Sequence, residues 1–450
     1  MSAGLLVTLC LSVLPAAAQS GDGREFPATL AGQVVLAADS IVPAPDDAPD
    51  ALKSAGTFTG ATRRRTLEPG SVPGMDGLRP TGFATPIEGQ SLQGFSGIKA
   101  MQDGTYWTMS DNGFGAKANS ADAMLMLHNV ALDWETGTLD RRETVFLSDP
   151  NAVAPFPIAM EGTPTRYLTG ADFDVESIQP VEDGFWVGEE FGPYLLKFDR
   201  QGRLKAMHDT MIGDTAVSSP DHPDLRLPAD PASPMPAFNL KRSGGFEGLA
   251  LSPDGAKLYG LLEGPVFVDG QAEATDDGRD ALRIVEFDVA SNEWTGRSWL
   301  YPLAEGATAI GDFNMIDDSH ALVIERDGGA GLQDQACAGE PAADCFATPA
   351  KLKRVAKIAM SDESVGGPVA KLGYIDLLAI EDPDAKARQG GANGRYTMPF
   401  VTIENVDRVD ETHIVVGNDN NFPFSAGRSL TKADDNEFVL LEAGELLRAE

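Results

Sequence analysis

Cysteine and histidine are almost missing from this 450-residue chain, at three and five. The histidines (128, 208, 222, 320 and 413) are scattered, and none stands at metal-ligand spacing. A Cys/His zinc centre is therefore excluded. Positive charge is also short, with 35 Lys and Arg against 68 Asp and Glu and a net charge of −33. A phosphate backbone would be repelled, so nucleic acid is not an expected partner. No run is apolar for long enough to span a membrane. The Gly-Lys-Ser/Thr of a phosphate loop is absent, and helical periodicity is nearly so; only 369–381 suggests a short helical stretch. What is present is a globular composition, 42% hydrophobic and 23% charged, rich in glycine (48) and proline (30). That balance suits many short strands joined by turns.

Five segments share one plan. Each opens a strand with a small polar or acidic motif, passes a turn, and ends in an acidic cluster about fifteen residues on. They are Gly94-Phe-Ser-Gly-Ile98 with Ser110-Asp-Asn112, Asp174-Val-Glu-Ser-Ile178 with Glu189-Glu190, Gly245-Phe-Glu-Gly-Leu249 with Glu263, Gly311-Asp312 with Glu325-Arg-Asp327, and Ile403-Glu-Asn-Val406 with Asn418-Asp-Asn420. The turns are Asp103-Gly104, Asp183-Gly184, Asp254-Gly255, Asp317-Asp-Ser319 and Asp410-Glu-Thr412. Asp-Gly between β-rich runs is a strong hairpin signal, and a hairpin returns its second strand beside the start of its first. Outer strands are expected at 124–134, 194–199, 282–288, 352–359 and 437–441. Repeated four-stranded units predict an all-β chain, a β-propeller of six four-stranded blades with inserted loops. The motif intervals of 80, 71, 65 and 92 residues place those loops at about 206–242, 264–281, 328–350 and 379–397.

A ring of such hairpins crowds carboxylates onto one face, and crowded carboxylates favour hard cations such as Ca²⁺. The candidate metal ligands are Asp111, Glu176, Glu189, Glu247, Glu263, Asp312, Glu325, Glu404 and Asp419, with Glu190 beside them. Asn112, Asn418 and Asn420 add neutral oxygens. Bound cations would recruit an anion, phosphate being a natural one, and Arg242 and Arg326 stand next to acidic motifs. Gly94-Phe-Ser96-Gly lacks the second glycine of a nucleophile elbow, since Ile98 stands there. Gly113-Phe-Gly115 half-matches a dinucleotide loop but has no βαβ unit around it.

Residues 5–14 form a short apolar run followed by Ala16-Ala17-Ala18, an export signal over 1–18 with cleavage near Ala18. No Lys or Arg precedes it, which departs from the usual pattern and points to a start further upstream. A periplasmic or secreted location follows, and there Cys337 and Cys345 would close a local disulfide loop. Residues 19–90 read as an N-terminal segment, partly loop, with one strand over 33–38 that can close the ring. The propeller spans 91–445.

Leu168-Thr-Gly-Ala-Asp-Phe-Asp-Val-Glu-Ser-Ile178, Gly184-Phe-Trp-Val-Gly-Glu-Glu190, Gly245-Phe-Glu-Gly-Leu-Ala-Leu-Ser-Pro-Asp-Gly255 and Ser110-Asp-Asn-Gly113 resemble the bacterial phytase-like family, "esterase-like activity of phytase". The resemblance covers roughly 90–440. It implies an exported β-propeller and, through propeller phytases, calcium-dependent hydrolysis of phosphate esters. The expected activity is a Ca²⁺-dependent phosphoesterase on a small phosphorylated substrate, monomeric and without a membrane span. Glu247 or Glu190 would act as general base, with Arg242 and Arg326 clamping phosphate. The alternatives are a non-catalytic binding propeller with structural calcium, and a carboxylesterase.

Overall fold

The computed structural model describes residues 21–60, 62 and 64–450. The expected export segment over 1–18, with Cys10, falls outside them. Five of the sheets each carry a four-stranded antiparallel core, which forms a blade; two of them are extended at the outer edge by short strands, beginning with a parallel pair. Blade 1 is Phe95–Ala100, Tyr106–Ser110, Met126–Asp133 and Thr138–Phe146. Blade 2 is Val175–Val181, Gly184–Glu189, Tyr194–Asp199 and Leu204–Asp209. Blade 3 is Phe246–Leu251, Lys257–Leu262, Ala281–Asp288 and Glu293–Pro302. Blade 4 is Ala309–Met315, His320–Arg326, Lys353–Ala359 and Ala370–Asp376. Blade 5 is Asn405–Arg408, His413–Gly417, Asn436–Glu442 and, as its outer strand, Thr29–Leu36.

The first strands of the blades pack against one another in order, and that of blade 5 returns to blade 1. The ring is thus a five-bladed propeller rather than one of six. The N-terminal strand does pair with the C-terminal one, Val34 opposite Phe438, but it completes the blade of the fifth motif instead of adding a sixth. The stretch expected to be helical is the strand Ala370–Asp376, whose outer edge is taken in parallel by Arg24–Glu25. Alternation of buried and exposed residues wins there over the weak helical pattern.

Each blade interface has its own apolar cluster. Trp107, Met109, Ile178 and Phe185 join blades 1 and 2; Trp186, Leu249 and Phe287 join 2 and 3. Leu261, Ile284, Phe313 and Val323 join 3 and 4; Leu322, Ile324, Val406 and Val416 join 4 and 5; Phe95, Ile98, Val415 and Phe438 join 5 and 1. Full burial of each such side chain contributes about 1.5–3 kcal/mol, so the ring closes on five similar seams. Glycine lets the inner strands approach: a Cβ on Gly248 would run into Phe313 and one on Gly311 into the Ile403 carbonyl.

The predicted hairpin turns form at one end of the ring. Asp103, Asp254, Asp317 and Asp410 each accept a hydrogen bond from the backbone N–H two residues on. Such local side-chain bonds fix turns. The motif residues consequently gather at the other end. Cys337 and Cys345 are joined within the loop following blade 4's second strand, as expected.

Candidate metal centre

Strand pairing gives each blade two equivalent positions at this end. The first lies at the start of the inner strand, where the register slips by one residue in blades 1 to 4. Such a bulge re-aims a side chain off the sheet. Blades 1 to 5 place Ser96, Glu176, Glu247, Gly311 and Glu404 there. The second position lies at the end of the second strand: Asp111, Glu190 and Glu263 follow the last paired residue in blades 1 to 3, Arg326 is one residue past the partner of Ile310 and pairs with Ala309 in blade 4, and Asp419 lies two residues past the last pair in blade 5.

With Asp174, two residues ahead of Glu176, these rings assemble an acidic basket: Asp111, Asp174, Glu176, Glu190, Glu247, Glu263, Glu404 and Asp419. All but Asp111 are buried. Oxygens of Asp174, Glu176 and Glu190 lie within 4.8 Å of one another. Asn112 Nδ2 donates to Asp174 Oδ1 at 2.6 Å, and Ser96 Oγ donates to Glu404 Oε2 at 3.0 Å. Two cations reach the group. Arg326 Nη2 lies 3.1 Å from Glu263, 3.2 Å from Glu404 and 3.7 Å from Glu247, while Lys241 Nζ lies 3.3 Å from Glu263. Glu190 Oε1 and Glu247 Oε1 are buried without any hydrogen-bond partner. A buried carboxylate oxygen left bare is costly, and a proton, a water or a hard cation would satisfy it.

Burial and mutual repulsion hold Asp111, Glu176, Glu190, Glu247 and Asp419 well above their ordinary titration. Burial, then Asp419 and Asp174, push Asp111 well up. Burial, then Asp174 and Glu247, do the same to Glu176; burial, then Glu263 and Asp174, to Glu190. Glu247 is raised by burial and by Glu404, Glu263 and Glu190 against the pull of Arg326. Burial opposes the charge on Arg326, but Glu404, Glu263 and Glu247 outweigh it and drive its value up. The carboxyls must keep protons or gain cations.

Three residues expected among the ligands stand outside the basket, each one position out of register. Glu189 turns the opposite way from Glu190 and accepts from the N–H groups of Phe191, Gly192 and Tyr194 at 2.7–2.8 Å. Asp312 follows Gly311, and its carboxylate accepts from Ile98 N–H at 3.1 Å and Val406 N–H at 3.0 Å, tying blades 1, 4 and 5. Glu325 precedes Arg326 and is held by Arg354 Nε at 2.6 Å and by Lys371. Successive residues of a strand face opposite sides, so a shift of one moves a side chain out of the site. Arg242 lies on the exposed rim, paired with Asp221. Asp174 was missing from the expected ligands; the Asp-x-Glu spacing in 174–176 was the available signal.

The described residues also contain a serine–histidine pair. Ser110 Oγ lies 3.1 Å from His128 Nε2, but the other ring nitrogen meets Thr144 Oγ1 at 3.0 Å, not a carboxylate. Burial lowers His128 to about 3 and keeps it neutral. The pair is a buried seam inside blade 1.

Comparison with known proteins agrees with this plan. The phytase-like family profile, "Esterase-like activity of phytase", matches residues 90–422. An uncharacterized secreted protein of Arthroderma benhamiae is 35% identical over 129 residues, which span 26% of this chain and 24% of that relative. Among solved structures, the glutaminyl cyclase of Myxococcus xanthus is similar at TM-score 0.33 and 10% identity, covering 78% of this chain and 91% of its own. The periplasmic gluconolactonase of Pseudomonas aeruginosa is similar at TM-score 0.30 and 12% identity, covering 82% and 98%. Likeness at that level carries no argument about activity. Among the described residues no helix is long and apolar enough to cross a membrane. The family profile covers most of the chain and takes in the inner two strands of all five blades: the protein belongs to the phytase-like family.

Proposed function

We propose that this chain is an exported, metal-dependent phosphoesterase, with Ca²⁺ as the cation and a small phosphate ester as substrate. The observation that carries the reading is the buried oxygen Glu190 Oε1, which among the described residues has neither a hydrogen-bond nor an ion-pair partner inside a basket of carboxylates. The donor set fits a hard cation: the basket offers carboxylate oxygens and no sulfur or imidazole. Asp174, Glu176 and Glu190 would hold it, with Asp111 and Asp419 on the adjoining blades. Bound there, Ca²⁺ supplies charge that offsets the acids and polarises a phosphoryl oxygen.

The remaining work falls to the chain's own groups. Lys241 and Arg242 lie consecutively on the loop entering blade 3, and their exposed ends can hold a substrate phosphate at the mouth. Arg326 lies deeper, engaged by three carboxylates, which favours a charge-balancing role over the phosphate contact. Glu247 or Glu190 takes the proton of the attacking water, and a raised carboxyl value brings such a base closer to neutral pH.

The test is hydrolysis of p-nitrophenyl phosphate and p-nitrophenyl acetate by the mature protein, with Ca²⁺ and after chelation. Phosphate release that needs Ca²⁺, with little acetate cleavage, is expected. Acetate cleavage indifferent to chelator would favour a carboxylesterase. Turnover of neither ester, with Ca²⁺ still raising Tm, would favour a binding propeller with structural calcium.

A further inference from the structure

We propose that Arg326 is a built-in counter-ion that takes the place of a divalent cation beside blade 4 and thereby confines bound cations to the side of the basket formed by blades 5, 1 and 2. The inference deepens the metal-centre reading and rests on it. Its basis is the quasi-equivalence of the blades. Four of the five second-strand positions carry a carboxylate: Asp111, Glu190, Glu263 and Asp419. The fifth carries an arginine. At the paired inner-strand position blade 4 has Gly311, where any side chain would collide with the Ile403 carbonyl. Blade 4 thus withholds both carboxylates that the pattern would place there, and supplies one positive charge.

That charge is placed as an ion would be. Arg326 Nε is anchored on the Ile310 carbonyl at 3.0 Å. Its Nη2 then faces Glu263, Glu404 and Glu247, one from blade 5 and two from blade 3. Its side chain is only 12% exposed, so solvent screens these pairs weakly. Across the basket Asp174, Glu176 and Glu190 converge, and among the described residues no Lys or Arg forms an ion pair with any of them. The bare Glu190 Oε1 belongs to this group, which feels Lys241 through space while Lys241 itself is paired with Glu263. A cation placed next to Arg326 would be repelled, whereas one placed against blade 2 meets the converging carboxylates of Asp174, Glu176 and Glu190, none of them ion-paired among the described residues.

The test counts ions. Chelator-stripped wild type, Arg326→Gln and Arg326→Lys are titrated with CaCl₂ alone by calorimetry, and bound Ca²⁺ is counted by native mass spectrometry. Arg326→Gln is expected to bind one more Ca²⁺ than wild type, because Glu247, Glu263 and Glu404 lose their partner; Arg326→Lys keeps the wild-type count. If Arg326→Gln folds only when Ca²⁺ is present, the ion is replacing the guanidinium, which equally supports the proposal. An unchanged or lower count in a folded Arg326→Gln overturns it. So does an extra ion in Arg326→Lys, or an Arg326→Gln chain that folds neither with nor without Ca²⁺. A wild type that binds no Ca²⁺ overturns the metal-centre reading itself, a result distinct from equal counts in wild type and variant.

Discussion

In chelator, the protein is expected to lose several degrees of Tm as pH rises from 6.5 to 8, and millimolar Ca²⁺ is expected to reverse the trend. The direction follows from the acids. Burial raises Asp312 to about 7 and Glu189 to about 8, and burial with repulsion lifts Asp111, Glu176, Glu190, Glu247 and Asp419 well above their usual range. Their folded values exceed the unfolded ones near 4, so the folded chain keeps protons that the unfolded chain has released. Stability from these groups is whole below about pH 4 and is lost as pH climbs through the raised values, at about 1.4 kcal/mol per pH unit for each retained proton.

Other groups define the window. Burial lowers His128, His208 and His222, which adds stability as pH rises through about 6.5 and masks the trend below it. Burial lowers Lys353 to about 8, and that residue begins to oppose the trend at the upper end. Calcium competes with the retained protons. A site at one hundred times its Kd adds about 2.7 kcal/mol, and the gain grows with pH because fewer protons need displacing. Differential scanning calorimetry at pH 6.5, 7.25 and 8, with and without Ca²⁺, reads both slopes. A Tm indifferent to Ca²⁺ at pH 8 would remove the metal from the reading.

The sequence announced the ring through its turns. Asp103-Gly104, Asp183-Gly184 and Asp254-Gly255 act locally, and the hairpins they predict all form at one end. Tyr194–Asp199 begins and ends where the apolar pattern said it would. What the sequence hid was one residue of register. Glu189 and Glu190 are neighbours with the same chemistry, yet one caps the amides of the following turn and the other faces the basket. The bulge at the start of the inner strand in blades 1 to 4 adds a residue to one strand only, so spacing along the chain cannot tell Gly311 from Asp312 as the equivalent of Glu247. Blade number was hidden for a similar reason. The strand over 29–36 carries no motif of its own, and its partner is set by contacts across some four hundred residues of chain.

Two substitutions of the same kind should move the protein in opposite directions, and the contrast separates site from scaffold. Glu247→Gln removes one buried like charge from among Glu404, Glu263 and Glu190 while keeping the side chain's shape. In chelator at pH 8 its Tm should equal or exceed that of wild type, because repulsion and desolvation are what raise Glu247. Its Ca²⁺ affinity should fall about tenfold, and phosphate-ester turnover should drop by about 10²- to 10⁴-fold, the usual scale of losing a general base. Glu325→Gln sits one residue before Arg326 in the same ring, but its carboxylate holds Arg354 and Lys371 and accepts from Ala304 N–H at 3.0 Å. Neutralising it strands two buried cations and should cost about 3–5 kcal/mol. Ca²⁺ binding per folded molecule should survive that loss. Thermal melts in chelator give the stability signs, and Ca²⁺ titration with p-nitrophenyl phosphate assays gives the functional ones. If Glu247→Gln keeps full turnover, Glu247 leaves the mechanism; if it melts far below wild type in chelator, the basket's carboxylates are scaffold rather than a site that crowds its charges for a cation.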